Sequence, residues 1–222
     1  MARFLIIDTA LEEAIVALGK DGKIIGELTN KETHSHASFI QVAIAKMLEA
    51  HQMAMTEIDA IVVTLGPGSY TGLRVGLATA KGIAYTLEKP LIGLSTLSAL
   101  AAAAIQLSPK SIEASTQIFS MIDARRMEVF GAIYDASLKP ILSEQAMVLD
   151  QTKWSSLISQ PTICIGNGHL KTKDFTSTHH LIYLDGNYTS QVLLDLAMAD
   201  KRAGELGIPD TEAGLSPDLL SE

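Results

Sequence analysis

The sequence has one cysteine, Cys164, so no disulfide can form within the chain. That excludes a disulfide-stapled scaffold and fits a reducing compartment. Cys164 lies in the apolar run Thr162-Ile163-Cys164-Ile165, where a lone thiol serves packing. Basic residues are also in short supply, with 17 Lys and Arg against 25 Asp and Glu and a formal net charge of −8. A free-standing RNA binder needs a cationic stripe to neutralise phosphates. Arg74, Lys81, Arg125 and Arg126 are dispersed along the chain instead. The apolar stretch from Leu91 to Ile105 is shorter than a membrane span and is interrupted by Gly93, Ser95, Thr96 and Ser98. Met1-Ala2-Arg3-Phe4 runs straight into a strand pattern, with no apolar leader or cleavage site. The expectation is a cytoplasmic protein with no membrane contact.

Familiar catalytic patterns are missing too. None of the six histidines forms the zinc-protease pattern, and no Gly-x-Ser-x-Gly elbow occurs. His34 and His36 precede or open a helix and read as capping or interface residues, so no metal site is expected.

What the chain does have is 222 residues, 47% of them hydrophobic, enough for one large domain or two small lobes. Strands are predicted at 4–8, 13–20 and 23–29, with Asp21-Gly22 as a hairpin turn. A helix at 34–51, a strand at 59–65, a helix at 72–87, a strand at 90–94 and a helix ended by Pro109 follow. The second half predicts a hairpin of 117–123 and 127–134, then strands at 141–149, 161–165 and 181–184. It adds a short helix at 153–158 and a closing helix at 189–202. This alternation reads as α/β, with two ribonuclease-H-like lobes, 1–108 and 109–222. No sequence repeat is visible between them, and the tail from Ile208 reads as irregular.

Residues Gly66-Pro67-Gly68-Ser69-Tyr70-Thr71-Gly72-Leu73-Arg74-Val75-Gly76 lie where a strand becomes a helix. Glycines there permit positive φ or a close approach, Pro67 fixes φ, and Ser69 or Thr71 can cap the helix. The segment is suited to an anion or a neighbouring chain, and equally to a tight turn that holds no ligand. No Gly-Lys-Ser/Thr follows, so it is not a P-loop. Asp8 and Thr9, and Gly166 with Gly168, stand at strand ends where phosphate loops are found. Ordinary turns use the same residues. Asp123, Arg125, Arg126 and Glu128 cluster at a predicted hairpin, as a cleft or partner contact or as a solvated tip. The two long helices are apolar on more than one face. His36, Phe39, Ile40, Ala43, Met47, Val75, Gly76, Ala80 and Ala84 are therefore the candidate interface, unless the second lobe covers them.

The glycine segment resembles the signature shared by the TsaD and TsaB families of tRNA threonylcarbamoyladenosine synthesis. The length, the start Leu5-Ile6-Ile7-Asp8-Thr9 and the stretch from Asp123 to Val129 are more similar to the TsaB family. The likeness is dense from residue 3 to 134. It implies an actin-like ATPase architecture and a non-catalytic scaffold for a TsaD-like transferase. Within that complex a threonylcarbamoyl group passes from its adenylate to the adenosine beside the anticodon. TsaD-like chains carry a His-x-x-x-His metal pair, where this chain has Thr96 and Leu100. The resemblance further implies pairing with a TsaD-like subunit through helices 34–51 and 72–87, a homodimer in its absence, and a TsaE-like ATPase nearby. tRNA is then met only indirectly. The chain has no cofactor of its own, and ATP or ADP binds only at a shared subunit junction. Family chains commonly end in a Pro-x-Tyr-Leu-Arg-like segment, and this one has Pro217-Asp218-Leu219-Leu220-Ser221. A reading of a different class is a free-standing actin-like ATPase or small-molecule kinase using Asp8, Thr9 and Gly166–Gly168. A protease reading has neither metal pattern nor triad to support it.

Overall fold

The computed structural model describes residues 2–31, 36–108 and 112–200. Its elements run β1 (Arg3–Asp8), β2 (Ala14–Lys20), β3 (Lys23–Asn30), α1 (His36–Ala50), β4 (Ala60–Gly66), α2 (Tyr70–Leu87) and β5 (Leu91–Ser95). Then come α3 (Thr96–Leu107), β6 (Gln117–Asp123), β7 (Glu128–Tyr134), β8 (Pro140–Val148), α4 (Gln151–Leu157), β9 (Thr162–Ile165), β10 (Leu181–Leu184) and α5 (Ser190–Ala199).

The first sheet has the order β3-β2-β1-β4-β5. Asp21 and Gly22, with φ of 50° and 79°, turn β2 back into β3, as Asp-Gly does in two-residue hairpins. β1 is antiparallel to β2 and parallel to β4, and so lies central, with every residue after Arg3 buried. Leu5 faces Leu18 and Ile61, and Ile7 faces Val16 and Val63. On this face Ile40, Ala43, Ile44 and Met47 of α1 join Leu77, Ala80 and Ala84 of α2 in one core. Burying each large aliphatic contributes roughly 1.5–3 kcal/mol. The opposite face is covered by α5. Leu194 fills the space that a side chain at Gly19 would need, and Val192, Leu193 and Ala197 are buried beside it.

The second sheet has the order β10-β9-β6-β7-β8. β6 is antiparallel to β7 and parallel to β9, repeating the plan of the first sheet strand for strand. Its core is aromatic. Trp154 of α4 stacks on Phe119 at 6.0 Å between ring centres and meets Phe175 at 5.9 Å. Cys164 is buried among these residues, and burial pushes its thiol up to about 12. It is therefore an inert packing group at neutral pH.

Contacts divide the chain into residues 2–96 with 189–200, and residues 97–188. The divide differs from a cut at 108 at two points. α3 groups with the second unit, and α5 returns to the first, because one face of the first sheet needs its apolar stripe as cover. The fold is α/β: two ribonuclease-H-like units of identical strand order, the duplicated arrangement of actin-like ATPases. No helix among the described residues is long and apolar enough to cross a membrane. Residues 32–35 with His34, and the tail from 201 with Pro217–Ser221, lie outside the described residues.

Candidate functional site

The glycine segment packs against the loop that follows β1. Ser69 caps α2, its hydroxyl accepting the Gly72 N–H at 3.2 Å, while its own N–H donates to the Ala10 carbonyl at 2.7 Å. Thr9 Oγ1 donates to the Gly72 carbonyl at 2.6 Å. A Cβ at Gly68 would collide with the Ala10 carbonyl oxygen, one at Gly72 with that of Thr9, and one at Gly76 with the Thr9 hydroxyl. Three glycines four apart thus form a track for Thr9 and Ala10, and Gly66 enters it at φ 105°. The neighbouring chain is the protein's own. Asp8 Oδ1 accepts the Ala10 N–H at 2.9 Å and the Thr64 hydroxyl at 2.6 Å. Asp8 and Thr9 are each 1% exposed, with these polar atoms turned into the turn and the helix end. Pro67 is buried, whereas Ser69, Tyr70, Thr71 and Arg74 are exposed. Arg74 lies over the Tyr70 ring at 5.2 Å and donates to its hydroxyl at 3.0 Å.

The second unit repeats this plan with different furniture. Asp123 ends β6 as Asp8 ends β1, and its Oδ1 accepts the N–H two residues on, that of Arg125, at 2.6 Å. Gly166-Asn167-Gly168 follows β9, and Gly66-Pro67-Gly68 starts from the last residue of β4. Gly166 has φ 89°, and side chains at Gly166 or Gly168 would strike the backbone of Met121 and Ile122. The halves therefore share an Asp turn and a Gly-x-Gly at matching places, a residual repeat that the expectation of none overlooked. It is invisible until the strands are aligned in space. Asn167 Oδ1 accepts the Asp123 N–H at 2.8 Å. Lys171 Nζ donates to Asp123 Oδ1 at 2.5 Å and to the carbonyls of Glu128 and Arg125 at 2.7 and 3.0 Å. Burial by itself would raise the Asp123 pKa. The hydrogen bonds from Lys171 and the Arg125 N–H, with the Lys171 charge, outweigh it and hold the carboxyl below its ordinary value. Arg125 and Arg126 have φ of 66° and 44°, which costs on the order of 1–2 kcal/mol for each.

The TsaD family model, described as tRNA N6-adenosine threonylcarbamoyltransferase, matches residues 23–157. The Escherichia coli K12 tRNA threonylcarbamoyladenosine biosynthesis protein TsaB is 31% identical over 210 residues, spanning 88% of this chain and 82% of that one. The chain belongs to the TsaB family. The Bacillus subtilis TsaB is 28% identical over 228 residues, spanning 97% and 93%. In fold, the chain is similar to YeaZ from Pseudomonas aeruginosa, with a TM-score of 0.77 at 23% identity over 94% of this chain and 96% of that one.

In this member of the TsaB family the helix residues chosen from the sequence mostly face inward. Ile40, Ala43, Met47, Ala80 and Ala84 are buried in the protein's own core, and Gly76 is buried beside Thr9. Phe39 and Val75 are half-buried at its edge, and the side chain of His36 lies outside the described residues. The sheet claims the small-residue stripe, because close approach to strands needs small side chains as much as approach to a second chain does. The outward apolar residues include Val42, Ala45, Ala78, Gly82 and Tyr85, with Tyr85 72% exposed, and they alternate with exposed Gln41, Lys46, Glu49, Arg74 and Thr86. Between them a groove of about 400 Å³ is lined by Gln41, Met55, Ala78, Thr79, Gly82, Ile83, Thr86 and Leu87. Thr96 and Leu100, which the resemblance set against a histidine pair, are fully buried. Among the described residues no three His, Cys, Asp or Glu side chains stand together to hold a metal ion. Thr64 and Lys171 escaped sequence reasoning, and Asn167 entered it only as the middle of a Gly-x-Gly turn, since each acts on a residue far away in the chain.

Proposed function

We infer that this chain acts in tRNA threonylcarbamoyladenosine biosynthesis as a partner subunit without a reaction centre of its own. It binds and stabilises a TsaD-like transferase through the outer faces of α1 and α2. Membership of the TsaB family supports the process. The observation that carries the partner role is the groove beside Gly82, where an added Cβ would meet no heavy atom within 4 Å. A helix pair whose groove mixes apolar and uncharged polar side chains around an open small-residue position accepts a facing helix closely. A homodimer uses the same surface, so homodimer and heterodimer exclude one another. A TsaE-like ATPase docks at or near the junction. Nucleotide is assigned to that junction, a reading supported by the inward bonding of Asp8 and Thr9.

Light scattering of the chain alone and mixed with a TsaD-like protein tests this. The mixture should give a heterodimer mass with loss of any homodimer. Gly82→Glu keeps a helix-compatible residue but buries a carboxylate in the interface, a cost of several kcal/mol that weakens binding by about a hundredfold or more. A Gly82→Glu chain that pairs as well as the parent would remove this surface from consideration. Ala43→Glu or Ala80→Glu would be uninformative, since each puts a charge into the protein's own core.

A further inference from the structure

The turn that closes the central strand occurs twice, and the two copies have opposite fates. After Asp8 the turn is sealed, with Thr9 and Ala10 buried against the glycine track. After Asp123 the turn is open, with Arg125 and Arg126 both exposed. These are the only consecutive non-glycine residues at positive φ among the described residues. Asp21-Gly22 holds a similar backbone with residue types that suit it, so nothing in hairpin closure demands arginine at either place.

The open turn is held from beneath. The Lys171 ammonium joins the Asp123 carboxylate to the carbonyls of Arg125 and Glu128, and Asn167 holds the Asp123 N–H. The Asp123 carboxylate is thereby spent on Lys171 and the Arg125 N–H. Two adjacent guanidinium groups thus stand on a fixed, strained backbone, and strain held by surrounding structure concentrates where a ligand is bound. A planar guanidinium fork matches two phosphate oxygens. Apart from Met127 the tip has no apolar anchor of the kind around which protein interfaces are built, whereas a phosphate contact needs none.

We propose that the Arg125–Arg126 hairpin is a phosphate-binding prong that takes backbone phosphates of the tRNA on which the complex acts. This rests on the function proposed above, and it adds a direct contact where the resemblance implied an indirect one. The contact is local, so at ordinary salt it matters within a complex, and on the isolated chain it is weak and is seen only at low salt.

The test is a tRNA titration of the complex with a TsaD-like protein across a series of salt concentrations, with ATP titrated in parallel. Arg125→Gln/Arg126→Gln should weaken tRNA binding about tenfold and lower the slope of log K against log salt by about two. Unchanged affinity and slope would overturn the prong. So would loss of ATP binding with tRNA binding intact, which would assign the pair to a nucleotide. Arg125→Asn/Arg126→Gly relieves the backbone while removing both charges. It should raise the melting temperature by about 2–4 °C and lose tRNA binding to the same extent. Retained tRNA binding in that variant would also overturn the proposal. If the parent chain fails to join the transferase, the functional reading fails separately. The titration of the isolated chain at low salt then decides the prong, with parent binding above the double variant supporting it and no parent binding overturning it.

Discussion

A Cβ at Gly68 would run into the Ala10 carbonyl, whereas one at Gly82 meets nothing within 4 Å. Two Gly→Ala changes some 14 residues apart, counted from their numbers, should therefore act in opposite directions. Gly68→Ala must push apart two backbone segments joined by the Ser69–Ala10 hydrogen bond, and should cost about 3 kcal/mol. Gly82→Ala lies in the interior of an 18-residue helix and should add about 0.5–1 kcal/mol. Urea denaturation of both variants beside the parent measures the contrast. Equal midpoints would mean that the glycine track is not closed by the Thr9–Ala10 loop. The glycine motif was plain in the sequence at this scale, and of the two candidate caps, Ser69 and Thr71, the structure uses Ser69. The occupant of the track was not, because Thr9 and Ala10 lie about 60 residues away and no local pattern joins them.

At the scale of elements, α5 shows how a short helix is tied to a sheet edge. Gln191 imitates a strand backbone: its Oε1 accepts the Ile24 N–H at 3.1 Å and its Nε2 donates to the Gly22 carbonyl at 2.9 Å. Ser190 donates to the Glu27 carboxylate alongside, and Thr189 caps the helix. Gln191→Ala should cost about 1–2 kcal/mol, because two partly buried backbone groups lose their partners. The amide of Ile24 should exchange with solvent faster, as hydrogen-exchange mass spectrometry over 22–30 would record. Unaltered protection there would mean that Leu194 packing over Gly19 alone holds the helix. The apolar pattern of α5 marked a helix, but it could not say which sheet that helix covers.

For the whole molecule, the division into units has a consequence for how the chain can be cut. The second unit, residues 97–188, is continuous in sequence and has its own core around Trp154. The first is discontinuous and takes α5 from beyond the second. A fragment of residues 97–188 should unfold cooperatively on its own. A fragment of residues 1–96 should do so only when a peptide of residues 189–200 is supplied, by circular dichroism with urea. Cooperative unfolding of 1–96 without the peptide would show that α5 is dispensable. The sequence by itself determined the local events: the Asp21-Gly22 hairpin, the apolar strands, the narrowing of the cap to Ser69 or Thr71, and the glycine motif. These depend on backbone preferences and side chains within a few residues of one another. Only the tertiary structure decided the rest. The inward face of α1 and α2 was set by which face of the first sheet needed cover. The reach of Lys171 to Asp123, across 48 residues, depended on β9 lying beside β6. The strand order is the same in both units, so the sealing of one Asp turn and the opening of the other followed from what packs beside each: the glycine track of α2 against Thr9 and Ala10, and Asn167 and Lys171 under Asp123. Burial and long-range hydrogen bonds belong to neighbours in space, and a chain does not name those neighbours until its strands are paired.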